Sequence, residues 1–506
     1  MDITKDNLLV VLLNITVPAI MQAILSNCYQ FNDFVFAGHI RDKYDAQRAT
    51  TALSAGIGIQ IICFSLHNLI QSGAQVFIAQ YYGAKQYQNV AVTFKVAFYT
   101  SIIFSSFVSV IGQLFCKDIA SLTNSSEDVN EALEAFLSII LLASPAFGLM
   151  LLVDGVFKSC GNTRTPLILE IISLLLNTTL NYVFVILLNH GIKGTAIATA
   201  ISRFIPGMIG LYGILHGWIP NLLISFNDLF SRYDNNVGNN SNNSNNNNNN
   251  DEMNELELVK MNESNDYIKS NIDEIDNELI LETSNEVIGN NNSEIIGNHN
   301  RSNYISNMMI RSYEMMKLGM FESLGDFVYG FVFTCMIRYS GLLGSAQQAG
   351  LGAGMRGVEW IAFCVSEGFL ISAITAVGQN IGAGLFLRAM HSALLCSFLS
   401  AFFTGILGIP FCLFSVQMSS MLSTDPSIIH YASQYVFING FVMSCVGFEM
   451  ASYGAMIGKH STIIIITTTF IIITIITIFT IITIITIIIN NQERVRLESC
   501  FMSMVY

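Results

Sequence analysis

The run from Leu167 to Leu188 constrains this chain most. It is about the length needed to cross a hydrocarbon core of ~30 Å. Yet it carries Glu170 near one end and two amides, Asn177 and Asn181, one helical turn apart in its middle. Polar groups at that depth keep their hydrogen-bond partners by facing protein or a watery cavity. The run therefore reads as one wall of a packed bundle with a polar interior, not as a simple anchor.

Similar runs recur along the chain. In the first half they cover 8–37, 52–82, 91–116, 132–159, 167–188 and 194–223. A charged loop is expected over 41–51, and a kink at Pro18, whose ring removes a backbone donor. Four more runs follow at 315–339, 345–381, 390–414 and 428–457. With 52% hydrophobic and only 12% charged residues, against roughly a quarter charged in a soluble domain, the chain reads as an all-α, multi-pass membrane protein.

Between the two sets lies a segment of another character. Residues 227–313 hold asparagine runs, fifteen Asp/Glu and five Lys/Arg, so most of the net charge of −13 sits in this one loop. Its composition is that of a disordered linker, and the charge points to neither nucleic acid nor an acid-seeking surface. The chain thus divides into a first lobe (1–223), a linker (224–313), a second lobe (314–458) and a C-terminal stretch (459–506). That last stretch contains an Ile/Thr-rich run about one span long. The Lys/Arg balance of the short loops fixes no orientation; Asn124, in an N-x-S sequon, offers a topology marker.

The two lobes carry an internal repeat. FIAQYYGA (77–84) lies over AVGQNIGA (376–383), matching Gln80 with Gln379 and Gly83 with Gly382. Each stretch ends the second span of its half. Gly161 and Gly458 follow or end the fourth spans in the same way. Such parallel repeats build transporters with a central site between two like halves.

These residues resemble the multidrug and toxic compound extrusion (MATE) family. The pattern Pro18-x14-Asp33-x4-Gly38-His39 is similar to its first helix, and GAQVFIAQYYGAKQ (73–86) to the end of its second. The segment SCGNTRTPLILEIISLLLNTTLNYVFVILLNHGIKGTAIATAIS (159–202) resembles helices five and six; EGFLISAITAVGQNIGAG (367–384) resembles helix eight. The resemblance implies twelve helices in two pseudo-symmetric six-helix lobes. It also implies export of organic, often cationic, compounds in exchange for H+ or Na+. The second lobe is expected to be incomplete here, since one Ile/Thr span stands where the resemblance implies two helices.

Carried over position by position, the resemblance makes Asp33 an ion-coupling acid. Asn177 and Asn181 match a helix-five pair in which some members hold Asp at the second place. The family's helix-seven glutamate aligns near Tyr329; instead Glu322 and Asp326 stand on the same helical face. Glu449 lies about a turn after the place of the helix-ten acid. The expected ion-coupling set is Asp33, Glu322, Asp326 and Glu449. The expected substrate-cavity set is Asn177, Asn181, Tyr329, Glu367 and Gln75.

Plainer roles compete at each position. Asp33 reads equally as an acid at the membrane edge paired with Arg41, the two amides as interhelical hydrogen-bond partners, and His67 as a structural histidine. The ten cysteines, mostly in apolar runs and without a C-x-x-C pair, read as small buried residues. No nucleophile–base set, zinc-ligand spacing or phosphate loop occurs, so neither enzyme, metal site nor cofactor is expected beyond the coupling ion. The expected partners are small organic substrates and the bilayer, with a monomer in a plasma, vacuolar or vesicular membrane. Alternative readings are a lipid-linked oligosaccharide flippase, a non-functional truncated transporter, and a receptor or channel.

Overall fold

A computed structural model describes residues 2–122, 127–222, 224, 293–343, 345–355, 360–421, 423 and 425–459. The Asn124 sequon, most of the linker, Arg356, Glu359 and the Ile/Thr run lie outside the described residues. Every element within them is helical. Eight helices are long and apolar enough to cross a membrane, or nine if one bent pair counts as a span.

The first half begins with α1 (Leu8–Gly38), whose first turn is capped by the Asn7 side chain accepting from the amides of Leu9 and Val10. It runs unbroken through Pro18. The charged segment after it is not a loop but a helix, α2 (Lys43–Ala55). Asp42 caps it, and Arg48 ties it to the Asp128 carbonyl and to Glu131. Next come α3 (Ile57–Gly83), α4 (Tyr87–Leu114) and a short α5 (Cys116–Ser121). The fourth span is broken into α6 (Glu127–Leu142) and α7 (Ser144–Ser159), bent by 56°. Pro145 sits in the first turn of α7, where it has no amide to offer the preceding turn. α8 (Arg164–Asn181) passes directly into one π-helical stretch, Tyr182–Leu187, before α9 (Gly191–Leu215).

The second half opens with α10 (Ser293–Leu343). The residues from Ser293 to Tyr313, placed in the linker by their composition, are therefore helical and continuous with the first span of the second lobe. α11 (Ser345–Gly354) and α12 (Trp360–Gly382) occupy the single run expected over 345–381. α13 (Phe386–Leu413), a short α14 (Ser415–Ser420) and α15 (Pro426–Gly458) complete the described order.

The repeat holds in three dimensions. α4 and α13 are both 28 residues long, and α5 and α14 are both six. After α3, Ala84, Lys85 and Gln86 turn the chain with amides bonded to Gln80, Tyr82 and Tyr81. After α12, Ala383, Gly384 and Leu385 make the same three bonds to Gln379, Ile381 and Asn380. Lys85 and Gly384 take matching left-handed backbone angles, φ 60° and 73°.

The halves pack crosswise, α1 against α12 and α3 against α10, with α3 and α12 meeting at the centre. Where α3 and α12 end, the contact is reciprocal. A Cβ on Gly83 would lie 2.1 Å from the Gln379 carbonyl oxygen, and one on Gly382 would lie 1.9 Å from that of Gln80. Only glycine lets the two backbones approach so closely. The glutamines complete the exchange: Gln80 Nε2 donates to the carbonyl of Gly458, the last residue of α15, at 3.0 Å. Gln379 Nε2 donates to that of Ser159, the last residue of α7, at 2.6 Å. Each thereby satisfies a helix-end carbonyl that its own helix leaves open.

Candidate functional site

The hydrogen-bonding of α8 and α9 is organised around Asp33. The two helices form an antiparallel hairpin, so residues equidistant from its turn stand side by side. Asn177 and Asn181, one turn apart on α8, and Thr199 on α9 all face α1. Asp33 Oδ1 accepts from Asn177 Nδ2 at 2.9 Å and Asn181 Nδ2 at 2.7 Å, and its Oδ2 accepts from the Thr199 hydroxyl at 2.6 Å. Asp33 is 8% exposed and both asparagines are 0% exposed. Such donors hold a buried carboxylate in place without cancelling its charge.

Further bonds fix the donors. Asn181 Nδ2 also reaches Asn177 Oδ1 at 3.0 Å, and Asn32 Nδ2 donates to the same oxygen at 2.6 Å. Asn181 Oδ1, equally buried, has no partner among the described residues. Such an oxygen can accept from any donor, water included, or coordinate a cation.

One turn along α1, Tyr29 supports the cluster. Its hydroxyl donates to the Thr199 carbonyl at 3.1 Å and shares a 2.5 Å hydrogen bond with Ser202. The Arg203 guanidinium lies 4.0 Å from the Tyr29 ring centroid and donates to Glu170 at 2.7 Å. Glu170 thus has a partner inside its own lobe.

The expected residues separate into two groups. Asp33, Asn177 and Asn181 come together, and Asp33 is bonded to the amides rather than sitting at an edge beside Arg41. The amides, expected on a substrate cavity, are turned onto Asp33. The other acids stand apart from this cluster. Asp326 on α10 accepts from Asn68 of α3 at 2.9 Å, and its neighbour Ser323 donates to the Ser65 carbonyl at 2.6 Å. Glu322 and Glu449 each keep one buried carboxylate oxygen without a hydrogen-bond partner among the described residues. Glu322 and Asp326 lie on α10 and Glu449 on α15. Gln75 is buried, its amide nitrogen without a hydrogen-bond partner among the described residues, and Glu367 is half-buried on α12, beside Gly368 where that helix meets α1. Tyr329 lies on α10, with its side chain outside the described residues.

Sequence reasoning missed Thr199, Tyr29 and the Arg203–Glu170 pair. The hairpin register held the signal: Thr199 and Arg203 stand about as far past the turn as Asn177 and Glu170 stand before it. It also missed a charged group on α7, where Asp154 is bonded to Lys158 at 2.5 Å and to Gln22 of α1 at 2.8 Å.

The model of the MatE family matches residues 18–183 and 320–483, which include all these positions on α1, α8 up to Asn181, α10, α12 and α15. The chain belongs to this family. Among curated proteins it is similar to the multidrug export protein MepA of Staphylococcus haemolyticus, 24% identical over 43% of this chain and 46% of that protein. It is also similar to a probable multidrug resistance protein, NorM, of Thermotoga maritima, 26% identical over 40% of this chain and 44% of that protein. The chain therefore aligns with less than half the length of these relatives. In fold it is similar to the Vibrio cholerae MATE transporter VcmN, solved as a point mutant, with a TM-score of 0.68 and 13% identity over 91% and 85% of the two chains. A MOP superfamily transporter from Pyrococcus furiosus gives 0.65 and 12% over 94% and 88%. This MATE chain is an integral, multi-pass membrane protein with the family's two-lobed architecture.

Proposed function

We propose that the chain is a secondary-active antiporter that exports organic, cationic or drug-like compounds in exchange for H+ or Na+, working as a monomer in its membrane. The observation that carries this reading is the buried Asp33 carboxylate, held by donors from two further helices and adjoining an unpartnered amide oxygen. A proton or Na+ arriving there changes what Asn177, Asn181 and Thr199 are bonded to. α1, α8 and α9 then repack. Because α1 also packs on α12, where Thr16 and Ser372 share a 2.6 Å hydrogen bond, a shift of α1 reaches the other lobe. The ion drives transport only in so far as it binds the two access states unequally.

Cargo binding is assigned to Glu322, Asp326, Glu367 and Glu449, whose charge suits cations. The buried bases of the first lobe are neutralised locally, Lys158 by Asp154 and Arg203 by Glu170. That pairing disfavours a flippase for anionic lipid-linked sugars. The full chain in proteoliposomes, with an imposed ion gradient and a cationic dye, tests the reading. Asp33→Asn keeps the shape but presents an amide to a ring of donors, and buried groups left unsatisfied cost about 1–3 kcal/mol each. Ion-driven dye export should fall to background while equilibrium dye binding persists. Full export by the variant would remove the assignment, and no export by the parent chain would favour a truncated, inactive transporter.

A further inference from the structure

The end of the molecule closed by Gly83 and Gly382 also holds a feature outside the repeat. Residues 2–6 form a turn closed on itself. Asp2 Oδ1 accepts from the Thr4 amide at 3.0 Å and the Thr4 hydroxyl at 2.5 Å, and Asp6 Oδ2 accepts from the Asp2 amide at 2.8 Å. The Asp2 carbonyl accepts from the amides of Lys5 and Asp6. From this turn Ile3, 5% exposed, enters an apolar cluster with Val11, Leu12, Phe369 and Ala389.

The turn touches both lobes. On the first, Ile3 Cδ1 lies 2.8 Å from where a Cβ on Gly161 would stand, in the turn that follows α7. On the second, Arg388 in the first turn of α13 donates Nε and Nη2 to the Ile3 carbonyl at 3.1 and 2.9 Å. Its Nη2 also donates to the Asp6 carbonyl. The corresponding place on α4 of the first half holds Asn89, which bonds to its near neighbour Gln86 at 2.9 Å. The arginine is thus an addition to the repeat, aimed at a segment that exists once.

We propose that residues 2–6 are a bolt across this mouth, with Ile3 seated against the Gly161 turn and Arg388 as its catch. Parting α3 from α12 moves the Gly161 turn and α13 in different directions, because one belongs to each lobe. Either Ile3 must leave its seat or Arg388 must release the carbonyls of Ile3 and Asp6. The bolt biases the protein towards the state closed at this end, and anything that draws the N-terminal turn away releases it. This inference does not need the antiport reading, since closure of the mouth is a property of the packed lobes whatever crosses them.

Thr375, 0% exposed, reaches from α12 across to the Lys158 carbonyl of α7 at 3.0 Å, so a thiol in its place reports on the mouth. In the full chain in detergent, with the native cysteines replaced by serine and Thr375→Cys added to every variant, the rate at which a bulky maleimide labels that position measures opening without cargo or ion. Arg388→Gln removes the catch, and Ile3→Gly removes the wedge but keeps its carbonyl. Both should raise the labelling rate about tenfold, the scale of losing charge-assisted hydrogen bonds or a buried aliphatic side chain, with unchanged elution as a folded monomer. Arg48→Gln is the control. It frees an arginine likewise bonded to the carbonyl of another helix, but beyond the far end of α1, and it should leave the rate at the parent value. A parent-like rate in both Arg388→Gln and Ile3→Gly would overturn the proposal, as would an equal rise in Arg48→Gln.

Discussion

The two halves of this MATE chain share helix order and loop geometry but differ in how they hold their acids. In the first, Asp33 is met by three side-chain donors from α8 and α9. In the second, among the described residues, Asp326 accepts from the Asn68 amide, and Glu322 and Glu449 each leave an oxygen open. A backbone repeat therefore does not copy a site. The first half has an acid set in a preformed cage, which the proposed function assigns to the small coupling ion. The second has acids spread over α10, α12 and α15, which it assigns to a larger cationic cargo. The bend tells the same story on the backbone. The fourth span of the first half is bent by 56° where Pro145 opens α7, while α15, without an internal proline, runs unbroken through the corresponding region.

The largest effect should separate the acids. Asp33→Asn is expected to silence ion-driven export. Asp326→Asn removes one acceptor from one neutral donor, worth about 1 kcal/mol, and should raise the KM for a cationic dye about fivefold while coupling survives. Parallel dye flux and ion flux measurements in proteoliposomes distinguish the two. If Asp326→Asn silences coupling as completely as Asp33→Asn, the division of labour between the halves is wrong.

What the sequence made legible follows from what is local. The apolar spans and the matching of Gln80 with Gln379 each rest on composition or a short motif. The rest depends on what covers a residue. Asp33 reads as an edge acid because hydropathy along α1 does not register that α8 and α9 close over it. Lys43–Ala55 reads as a loop because its charges suggest solvent, although Asp42 supplies a helix cap. The segment from Ser293 reads as linker because its apolar residues are sparse. Thr199 and Arg203 are hidden in the register of a hairpin, and helical face alone does not tell which helices stand between Glu322, Asp326 and Glu449.

An intermediate effect should show the halves as equals. Gly83→Ala and Gly382→Ala each push a methyl group to about 2 Å from a carbonyl oxygen of the opposite helix. Backbone cannot yield as a flexible side chain does, so each should destabilise the closed state by about 1–3 kcal/mol, the usual cost of overpacking. Thermal unfolding in detergent should record the same loss for both. A difference larger than about 1 kcal/mol would mean that the reciprocal contact is reciprocal in shape only.

The smallest effect should expose a remaining asymmetry. Gln80 and Gln379 make equivalent bonds to the last carbonyls of α15 and α7, but in different surroundings. Gln379 is 4% exposed and its bond to Ser159 is buried, whereas the bond from Gln80 to Gly458 is only partly so. Truncating Gln379 leaves the Ser159 carbonyl without that donor where water does not readily replace it, at about 1–2 kcal/mol; truncating Gln80 leaves a carbonyl that solvent can reach, at about 0.5 kcal/mol. Gln379→Ala should therefore lower the unfolding midpoint more than Gln80→Ala, and the double variant should lower it by the sum if the two bonds report on separate halves. A double variant that loses clearly more than the sum would instead make the two glutamines parts of one closure, in which either bond holds the mouth while the other is broken.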